Sequence, residues 1–497
     1  MKRLPFFVVA IFLCIPLAAS AATLSRPFEV SGWIPYWRTA TGTADVLPRL
    51  NLLTEVNPFV YTLKSDGTLL DNGSLDQEPW LTLRAQAKAQ GVRFVPTVMT
   101  GNGDLLHDLL SNQAKRIALE DRIAALVKEQ GFDGIDIDFE GKKAADKDYF
   151  STFLKGLYQR MGDKWVMCTI ESRTPQADRY YGTTPPADAG LFANDLREVN
   201  KYCDRVRIMA YDQQGIDLKL LADAEAKGQL YAPVGDPAWV EKVVNLMAQD
   251  IARNKIMIGV PTYGYEYDVT AYANNEYVYD ILWTFNPGYA GPIAAQYGIT
   301  PERASWGEMY FTYLNAATST PPVSSIGASQ VAAAASAFST SGNTNSRFRL
   351  MVWPDAQSVA DRIALAKKLG VRGVSVFKFD GGQDPNIWNT IASSAQSAPP
   401  ASAGAPSGAA LSRTLTLGSV GSDVRTLQRI LNSDSSTQIV ASGPGAPGSE
   451  TDRFGAMTLR AVQKFQVKYG IARAGSTGYG VVGPATRAKL NSLLASL

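Results

Sequence analysis

Three carboxylic acids at two-residue intervals lie in the segment 132–140, which reads FDGIDIDFE. Side chains alternate between the two faces of a strand, so Asp136, Asp138 and Glu140 are predicted to share one face, with the apolar residues between them on the other. Acids this close repel one another, and desolvation raises their pKa values, so at least one is expected to keep its proton near neutral pH. General acid catalysis requires such a protonated acid, for example when a leaving glycosidic oxygen must be protonated.

The same acids could instead bind a cation such as calcium. Calcium sites usually draw their ligands from loops with carbonyl groups and glycines, whereas this segment is a hydrophobic strand. The only histidine, His107, falls in the apparent helix face 105–110, so His-rich zinc sites and Ser-His-Asp triads are excluded. We therefore expect neither a metal ion nor a cofactor. Asp133 has the wrong parity for the acidic face and needs a bend or a supporting role.

The composition and the N-terminus indicate an exported protein. Lys and Arg total 48 against 46 Asp and Glu, which gives no electrostatic reason to expect nucleic acid as a partner. Residues 1–22 have the order of a signal peptide, with Lys2 and Arg3, an apolar run over 6–17, and an expected cleavage after Ala21. A retained membrane anchor is the alternative, but the run is short for spanning a bilayer. We expect a monomer without stable membrane insertion, in the extracellular space, at the cell wall or, where an outer membrane exists, in the periplasm.

After removal of this leader, the cysteines that remain are Cys168 and Cys203, too few for a disulfide framework. Cys168 falls inside an apparent strand, whereas Cys203 precedes the next strand. This offset along the strand direction argues against a bridge between neighbouring parallel strands. We therefore expect two buried thiols.

Eight short apolar runs alternate with amphipathic helix patterns, which is the order that a parallel sheet with helical crossovers requires. This pattern predicts a (β/α)8 barrel, with a doubly wound open sheet as the alternative. The segment 265–349, rich in Tyr and Gly, is expected to form an α+β insertion between the seventh and eighth strands. The runs are Phe28–Tyr36, Val56–Leu63, Val92–Val98, Gly134–Phe139, Trp165–Ile170, Val206–Tyr211, Ile256–Thr262 and Gly373–Phe379.

A change in composition divides the chain into two folded parts. From 393 to 410 every residue except Gln396 is Ser, Ala, Pro or Gly, which cannot bury a core and predicts a flexible linker over 393–411. We therefore expect a barrel at 23–392 and a small tail domain at 412–497. The tail contains an internal repeat, because FGAMT at 454–458 and VGPAT at 482–486 each precede an apolar helix pattern. Three short helices are the simplest interpretation of the tail.

The pattern D-x-x-D-x-D-x-E at 133–140 resembles the fourth-strand signature of glycoside hydrolase family 18. Residues 209–212, MAYD, resemble the sixth-strand motif of that family, and 373–388 resemble its closing strand and loop. The segments 32–37 and 58–61 are similar to its spore-germination and cell-wall branch. The resemblance implies a (β/α)8 barrel and a retaining mechanism in which the 2-acetamido oxygen of the substrate attacks the anomeric carbon.

The same resemblance implies a role for each acid. Glu140 would act first as acid and then as base, Asp138 would orient the acetamido N–H, and Asp136 would share a proton with Asp138. Tyr211 would donate a hydrogen bond to the acetamido oxygen, with a stacked rim aromatic as the alternative, and Asp212 would contact the sugar from the opposite wall. Further candidates for substrate binding, several of which could equally be core residues, are Asp133, Met209, Phe377, Tyr36, Trp37, Tyr61 and Trp353.

Two features depart from the family pattern. Phe377 stands where many members carry Trp beneath the reacting sugar, and it offers a smaller stacking face. The third strand ends TVMTGN at 97–102, without the Ser-x-Gly-Gly often found there. Neither change removes an acid, but both affect the expected shape of the sugar subsites.

The tail resembles peptidoglycan-binding domains of the three-helix type, with a generic helical adaptor as the alternative. Together the two resemblances imply a hydrolase that cleaves β-1,4 bonds after N-acetylglucosamine, with peptidoglycan or chitin as its polysaccharide partner. The rival hypothesis is a lectin-like protein that binds cell wall or chitin through a catalytically dead barrel. Dead relatives typically lose the terminal Glu of the signature, whereas this chain retains Glu140.

Overall fold

The computed structural model describes residues 28–272, 276–314, 346–396, 411, 413–440, 445–447 and 450–494. The predicted leader at 1–22 lies outside the described residues. The helix Ile387–Gln396 extends into the predicted linker, and residues 397–410 lie outside the described part. The strands are β1 (Glu29–Pro35), β2 (Glu55–Leu63), β3 (Leu69–Asp71), β4 (Arg93–Phe94), β5 (Thr97–Thr100), β6 (Gly134–Phe139), β7 (Trp165–Glu171), β8 (Arg205–Met209), β9 (Ile256–Pro261), β10 (Gly264–Ala271), β11 (Tyr277–Phe285), β12 (Glu302–Arg303), β13 (Met309–Tyr313), β14 (Ser346–Trp353) and β15 (Gly373–Phe377).

Eight of these strands form a closed parallel barrel. Their order is β1-β2-β5-β6-β7-β8-β9-β15, and β15 pairs with β1 to close the sheet. The predicted (β/α)8 architecture is confirmed, and the open-sheet alternative is wrong, because an open sheet would leave two edge strands unpaired. The third barrel strand is split into β4 and β5 around Val95 and Pro96, since proline has no N–H to donate to the ladder.

Helices cover the outside of the barrel, and the longer ones bury an apolar face. On the helix Gln113–Gln130, Leu119 and Ile123 are fully buried, as the helical period predicts. The Asn112 side chain caps its first turn, and Gly131, with a φ of 65°, ends it. None of the described helices is long and apolar enough to cross a membrane. The described α-helices are Thr39–Val46, Trp80–Ala89, Gly103–Ser111, Gln113–Gln130, Lys147–Met161, Gln176–Arg179, Leu196–Tyr202, Leu218–Glu225, Pro237–Met247, Ala290–Gln296, Ala356–Lys368, Ile387–Gln396, Ser422–Asn432, Ala456–Lys468 and Pro484–Leu494.

The two faces of the barrel strands carry different chemistry. On β6, Ile137 and Phe139 point outward into the helix layer, where the Phe139 ring packs on Phe153 with 5.4 Å between centroids. The alternate residues, Asp136 and Asp138, therefore point into the barrel. Apolar burial between strands and helices thus stabilises the fold without involving the acids.

The insertion between β9 and β15 forms a second, antiparallel sheet with the order β11-β10-β14-β13-β12. β10 begins at Gly264, where a Cβ atom would lie 2.3 Å from the carbonyl oxygen of Val352. Glycine therefore allows the two strands to approach closely at this point. The predicted insertion between the seventh and eighth barrel strands is confirmed, and its sheet runs from Gly264 to Trp353. Its segments 273–275 and 315–345 lie outside the described residues.

The described part of the tail folds as three helices around buried aliphatic and aromatic residues, as predicted. Its internal repeat corresponds to a repeated contact between neighbouring helices. The buried amide of Gln428 donates to the Thr458 hydroxyl at 2.9 Å, and the buried amide of Gln466 donates to the Thr486 hydroxyl at 3.0 Å. The threonine of each repeated motif therefore accepts from a glutamine of the preceding helix, which explains why the motif recurs.

Cys168 and Cys203 form a disulfide, so the expectation of two free thiols is wrong. Their Cα atoms are 5.8 Å apart, within the usual range for a bridge. The expectation of free thiols came from the offset between the two cysteines along the strand direction. Cys203 instead follows the helix Leu196–Tyr202, which packs on the outer face of the barrel, and Cys168 points outward from β7 towards it. The helix places Cys203 above the outer face of the sheet. The alternation of side chains along a strand gives no information about this contact between layers.

We expect loss of this disulfide to destabilise the barrel. The two cysteines are 35 residues apart, for which chain entropy gives a contribution of about 4 kcal/mol. The variant Cys168→Ala/Cys203→Ala should unfold at a lower urea concentration than the unmodified protein. Dithiothreitol should shift the unmodified protein towards the variant and leave the variant unchanged. Two alkylated thiols in unreduced, denatured protein, detected by mass spectrometry, would show that the bridge is absent.

Candidate active site

Asp136 lies in the middle of β6, Asp138 lies near its carboxyl end, and Glu140 follows the strand. Asp136 and Asp138 are buried, whereas Glu140 follows the strand and is partly exposed. Oδ2 of Asp136 accepts a hydrogen bond from Thr97 on β5 at 2.8 Å, and Oδ1 accepts one from Thr169 on β7 at 2.9 Å. Neighbouring strands on both sides therefore hold Asp136 inside the barrel.

The electrostatics of the cluster favour protonated acids. Burial raises the pKa of Asp138 well above its usual value, and the nearby Glu140 and Asp136 raise it further. Burial also raises the pKa of Glu140, with the Glu171 carboxylate as the largest charged contribution. Oδ1 of Asp138 is buried and has no hydrogen-bond partner among the described residues, so no described group of the protein satisfies it.

Lys142 and Glu171 are two charged neighbours of these acids that the sequence analysis did not identify. Lys142 is buried, donates a hydrogen bond to the carbonyl oxygen of Phe139, and lies 3.6 Å from Glu171. Burial lowers the pKa of Lys142, and the surrounding carboxylates oppose this shift. The sequence did contain a sign of this contact, because Lys142 is only two residues from Glu140. A lysine that follows a buried acidic strand so closely is near the carboxylates of that strand.

Two tyrosines hold Asp212, the residue that follows Tyr211. Asp212 accepts hydrogen bonds from Tyr265, at 2.6 Å, and from Tyr263. Its φ is 57°, a left-handed conformation that is uncommon for residues other than glycine. Burial raises the pKa of Asp212. The sequence analysis missed Tyr263 and Tyr265, although both lie directly after the seventh predicted strand, in TYGY at 262–265.

Phe377 lies at the centre of an aromatic floor. Its ring stacks on Tyr211 at 5.8 Å and makes edge contacts with Trp33 at 5.7 Å and Tyr263 at 6.0 Å. Burial raises the pKa of Tyr211 well above its usual value, and the charge of Asp138 adds to this shift. The Tyr211 hydroxyl therefore remains a hydrogen-bond donor across the working pH range.

Tyr36 and Trp37 lie at the rim of this floor, just after β1. They are 37% and 50% exposed, and Trp37 packs edge-on against Phe59, which in turn contacts Phe377. Met209 is the last residue of β8. It packs against the hydrophobic cluster that contains Tyr211 and Tyr263. The rim aromatics therefore extend the floor towards solvent, where a second sugar ring could stack.

The structure does not bring Asp133 or Trp353 to this site. Asp133 precedes β6 at the opposite end of the barrel, where its Oδ2 accepts a hydrogen bond from the Phe94 amide at 2.8 Å. It therefore has a supporting role at the start of the strand. Trp353 ends β14 and packs on Phe285, with 6.1 Å between ring centroids, in the core of the insertion.

Tyr61 points away from the site because the register of β2 is irregular. Phe59 pairs with Thr97, but Tyr61 pairs with Val98, so one extra residue interrupts the alternation. Thr97 faces the interior, where it contacts Asp136, and Val98 belongs to the outer core. A bulge of this kind reverses the face that simple alternation predicts.

The cation-binding alternative does not fit the surroundings of the acids. Arg207 on β8 lies 2.8 Å from Oδ2 of Asp136. The buried ammonium group of Lys142 contributes a second positive charge beside Asp138. A bound calcium ion would have to displace or approach these cations, which Coulomb repulsion opposes.

Comparison with known proteins gives two family matches. The chain matches glycosyl hydrolases family 18 over residues 32–382 and a peptidoglycan binding domain over residues 420–490. It is 24% identical over 227 residues to the uncharacterized glycosylase YvbX of Bacillus subtilis, which covers 44% of this chain and 61% of that protein. It is 23% identical over 346 residues to the cortical fragment-lytic enzyme of Bacillus subtilis, which covers 68% of this chain and 66% of that enzyme. Both alignments thus span slightly less than two thirds of the relative.

Two solved structures share the fold. The spore cortex-lytic enzyme SleL of Bacillus megaterium superposes with a TM-score of 0.53 and 20% identity, covering 74% of each chain. A class V chitinase from Pseudomonas fluorescens superposes with a TM-score of 0.54 and 20% identity, covering 74% of this chain and 99% of the other. The first family match extends over most of the chain and includes both the acidic strand and the aromatic floor. The chain therefore belongs to glycosyl hydrolases family 18.

Proposed function

We propose that the protein is a retaining glycosidase that cleaves β-1,4 bonds after N-acetylglucosamine, with Glu140 as acid and base. The observation that carries this proposal is the acidic line on β6, in which Glu140 lies partly exposed beside the buried Asp138. Because its pKa is raised by burial and by Glu171, the Glu140 carboxyl can hold the proton that a leaving oxygen needs. Substrate-assisted catalysis by the acetamido group is the exception to the two-carboxylate rule that applies to this family.

In the first proposed step, Glu140 donates its proton to the glycosidic oxygen while the acetamido oxygen of the same sugar attacks the anomeric carbon. The bond to the leaving oxygen breaks, and a cyclic oxazolinium ion forms. The Asp138 carboxyl group would accept the acetamido N–H, and the Tyr211 hydroxyl would donate to the acetamido oxygen. These contacts orient the nucleophile, which lowers the entropy cost of ring closure.

In the second step, the ionised Glu140 takes a proton from a water molecule as that water attacks the anomeric carbon. The oxazolinium ring opens, the acetamido group is restored, and Glu140 is protonated again. Two displacements at one carbon retain its configuration. The apolar face of the reacting sugar would rest on the floor that Phe377 and Tyr211 form.

Cell-wall peptidoglycan is the proposed natural substrate, with chitin as the alternative. The match to a peptidoglycan binding domain at 420–490 supports cell-wall peptidoglycan as the substrate. One similar protein is named a cortical fragment-lytic enzyme, a second is named a spore cortex-lytic enzyme, and a third is named a chitinase. The disulfide between Cys168 and Cys203 supports secretion, because such bridges form in oxidising compartments.

Glu140→Gln should lower kcat by at least about 10²–10⁴-fold, because general acid catalysis alone contributes that much. The change is nearly isosteric, so the fold and the binding of N-acetylglucosamine oligomers should remain. Hydrolysis assays and titration calorimetry measure the two properties separately. Full activity in the variant would contradict the role of Glu140.

Glu171→Gln is the matched control for this variant. It removes a carboxylate beside the cleft but leaves the proposed acid in place. Because Glu171 raises the pKa of Glu140, its removal should move the alkaline limb of the kcat profile to lower pH and leave most of the activity at the optimum. A loss as large as that of Glu140→Gln would assign the proton transfer to Glu171 instead.

Asp138→Asn should abolish most activity and yet raise stability at neutral pH. Since the native pKa of Asp138 is raised, stability falls as the pH rises from the unfolded value of about 4 through the native value. Asparagine removes this loss. Calorimetry should show a larger gain in Tm at pH 7 than at pH 4, with about 1 °C for each kcal/mol recovered in a chain of this length. Equal differences at the two pH values would mean that the aspartate is not protonated in the fold.

Removal of residues 412–497 should reduce sedimentation with purified peptidoglycan and slow its digestion, without changing hydrolysis of short soluble oligomers. A tethered module raises the concentration of the enzyme at an insoluble polymer and leaves the chemistry untouched. Full-length and truncated proteins are incubated with sacculi and with chitin, and the released reducing ends are identified by mass spectrometry. N-acetylglucosamine ends from sacculi are the expected products. Efficient digestion of chitin alone, independent of the tail, would contradict the proposal that peptidoglycan is the natural substrate.

A further inference from the structure

The tail carries a positive charge that the rest of the chain does not share. Residues 412–497 contain ten Lys and Arg against four Asp and Glu, whereas the whole chain has 48 against 46. The part of the chain before the tail therefore has more acidic than basic residues. A local excess of one charge attracts partners of the opposite charge.

Three cations follow one another along one side of the helix Ala456–Lys468. Arg460, Lys464 and Lys468 are spaced four residues apart, so their side chains are neighbours on the helix surface. Like charges at this spacing destabilise a helix slightly. The stripe therefore costs some folding stability, which a bound anion would offset.

The cations of the stripe differ in how far the protein neutralises them. Lys468 forms an ion pair with Asp434 and donates a hydrogen bond to Ser436 Oγ at 2.9 Å. Within the part of the chain that the structure describes, neither Arg460 nor Lys464 pairs with a carboxylate. These two charges are therefore available to a ligand.

The stripe borders an open groove of about 710 Å³ on the tail, which is within the usual size of ligand sites. Val467 and Tyr479 also line the groove, and Val467 is 56% exposed. Gln463 adds a side-chain amide to the lining. The groove thus combines positive charge with apolar surface and a neutral hydrogen-bonding group.

The loop that carries Tyr479 is held from inside the domain. The buried amide of Gln466 accepts a hydrogen bond from Gly480 N at 2.7 Å and donates one to Gly478 O at 3.0 Å. The φ angles of Gly478 and Gly480 are 84° and 82°, in the left-handed region that favours glycine. The buried glutamine and the two glycines therefore fix the position of Tyr479 at the groove.

We propose that this groove binds the peptide stems of peptidoglycan through their carboxylates. The inference rests on the proposed function and deepens it, because it assigns the surface of the tail that holds the wall and the chemical group that this surface recognises. Arg and Lys side chains form charge-assisted hydrogen bonds with carboxylates. The alanine methyl groups of a stem match the apolar part of the groove. Chitin is a polymer of uncharged N-acetylglucosamine, so it offers no partner for Arg460 and Lys464.

The test measures binding of the full-length protein to purified sacculi by sedimentation, with Arg460→Gln/Lys464→Gln as the groove variant. Loss of two exposed ion pairs should weaken binding about tenfold. The Tm should stay the same or rise slightly, because like charges are removed from one helix face. Added salt should weaken binding of the unmodified protein by screening. Equal affinity of the variant and the unmodified protein for sacculi would overturn the proposal.

Arg473→Gln/Arg487→Gln is the matched control for this variant. It removes the same positive charge from the tail, but neither residue lines the groove. Its affinity for sacculi should stay within about twofold of the unmodified protein, because long-range attraction between exposed charges is weak. An equal loss of binding in both double variants would mean that the net charge of the tail, and not the groove, attracts the wall.

Chemical treatment of the sacculi identifies the anion. Carbodiimide coupling with ammonia converts carboxylates to neutral amides, and it should reduce binding of the unmodified protein to the level of the groove variant. Hydrofluoric acid removes phosphodiester polymers from walls that carry them and should leave binding unchanged. Binding that survives amidation and disappears after hydrofluoric acid would overturn the assignment to carboxylates in favour of phosphate groups.

Two measurements separate this inference from the proposed catalytic function. The groove variant should sediment with chitin as the unmodified protein does, and it should hydrolyse short soluble oligomers at the same rate. A parallel loss of affinity for chitin and for sacculi would contradict recognition of a charged stem. Full activity of Glu140→Gln would instead contradict the proposed role of Glu140 and leave the binding result unaffected.

Discussion

The structure depends on holding several carboxylates in the dry interior of a barrel. Asp136 and Asp138 are buried next to each other on one strand, and a buried charge without a partner is strongly destabilising. The chain meets this constraint in two different ways. Donors and a cation surround Asp136, whereas burial favours a proton on Asp138. The barrel can therefore hold these acids close together without the repulsion of three adjacent charges.

This solution changes what fills the barrel. Branched aliphatic side chains commonly pack the interior of such barrels, but here Glu29, Arg93, Glu55 and Arg207 form a line of alternating charges that leads to the acids. The stabilising apolar burial lies on the other face of the same strands, against the helices. The alternation of side chains along each strand thus separates the chemistry of the protein from the packing that keeps it folded.

The insertion also shapes the cleft. Tyr265 on β10 and Tyr263 just before it both donate to Asp212, and they hold the side chain of a residue whose backbone is in the left-handed region. β10 pairs with β14 inside an antiparallel sheet that has its own core. The side chain of Asp212 is therefore held by tyrosines of the insertion, which gives the extra sheet a direct part in positioning a polar group near Glu140.

The sequence by itself determined the features that follow from local periodicity and composition. Alternation placed the three acids on one face, eight apolar runs predicted the barrel, and the change in composition located the tail. Only the tertiary structure decided which distant residues meet: a bulge in β2 turned Tyr61 outward, a helix lying over the sheet joined Cys203 to Cys168, and closure of the barrel brought Arg207 to Asp136. Periodicity describes the face that a side chain takes on its own element, whereas its partners depend on the order and stagger of the strands when the barrel closes.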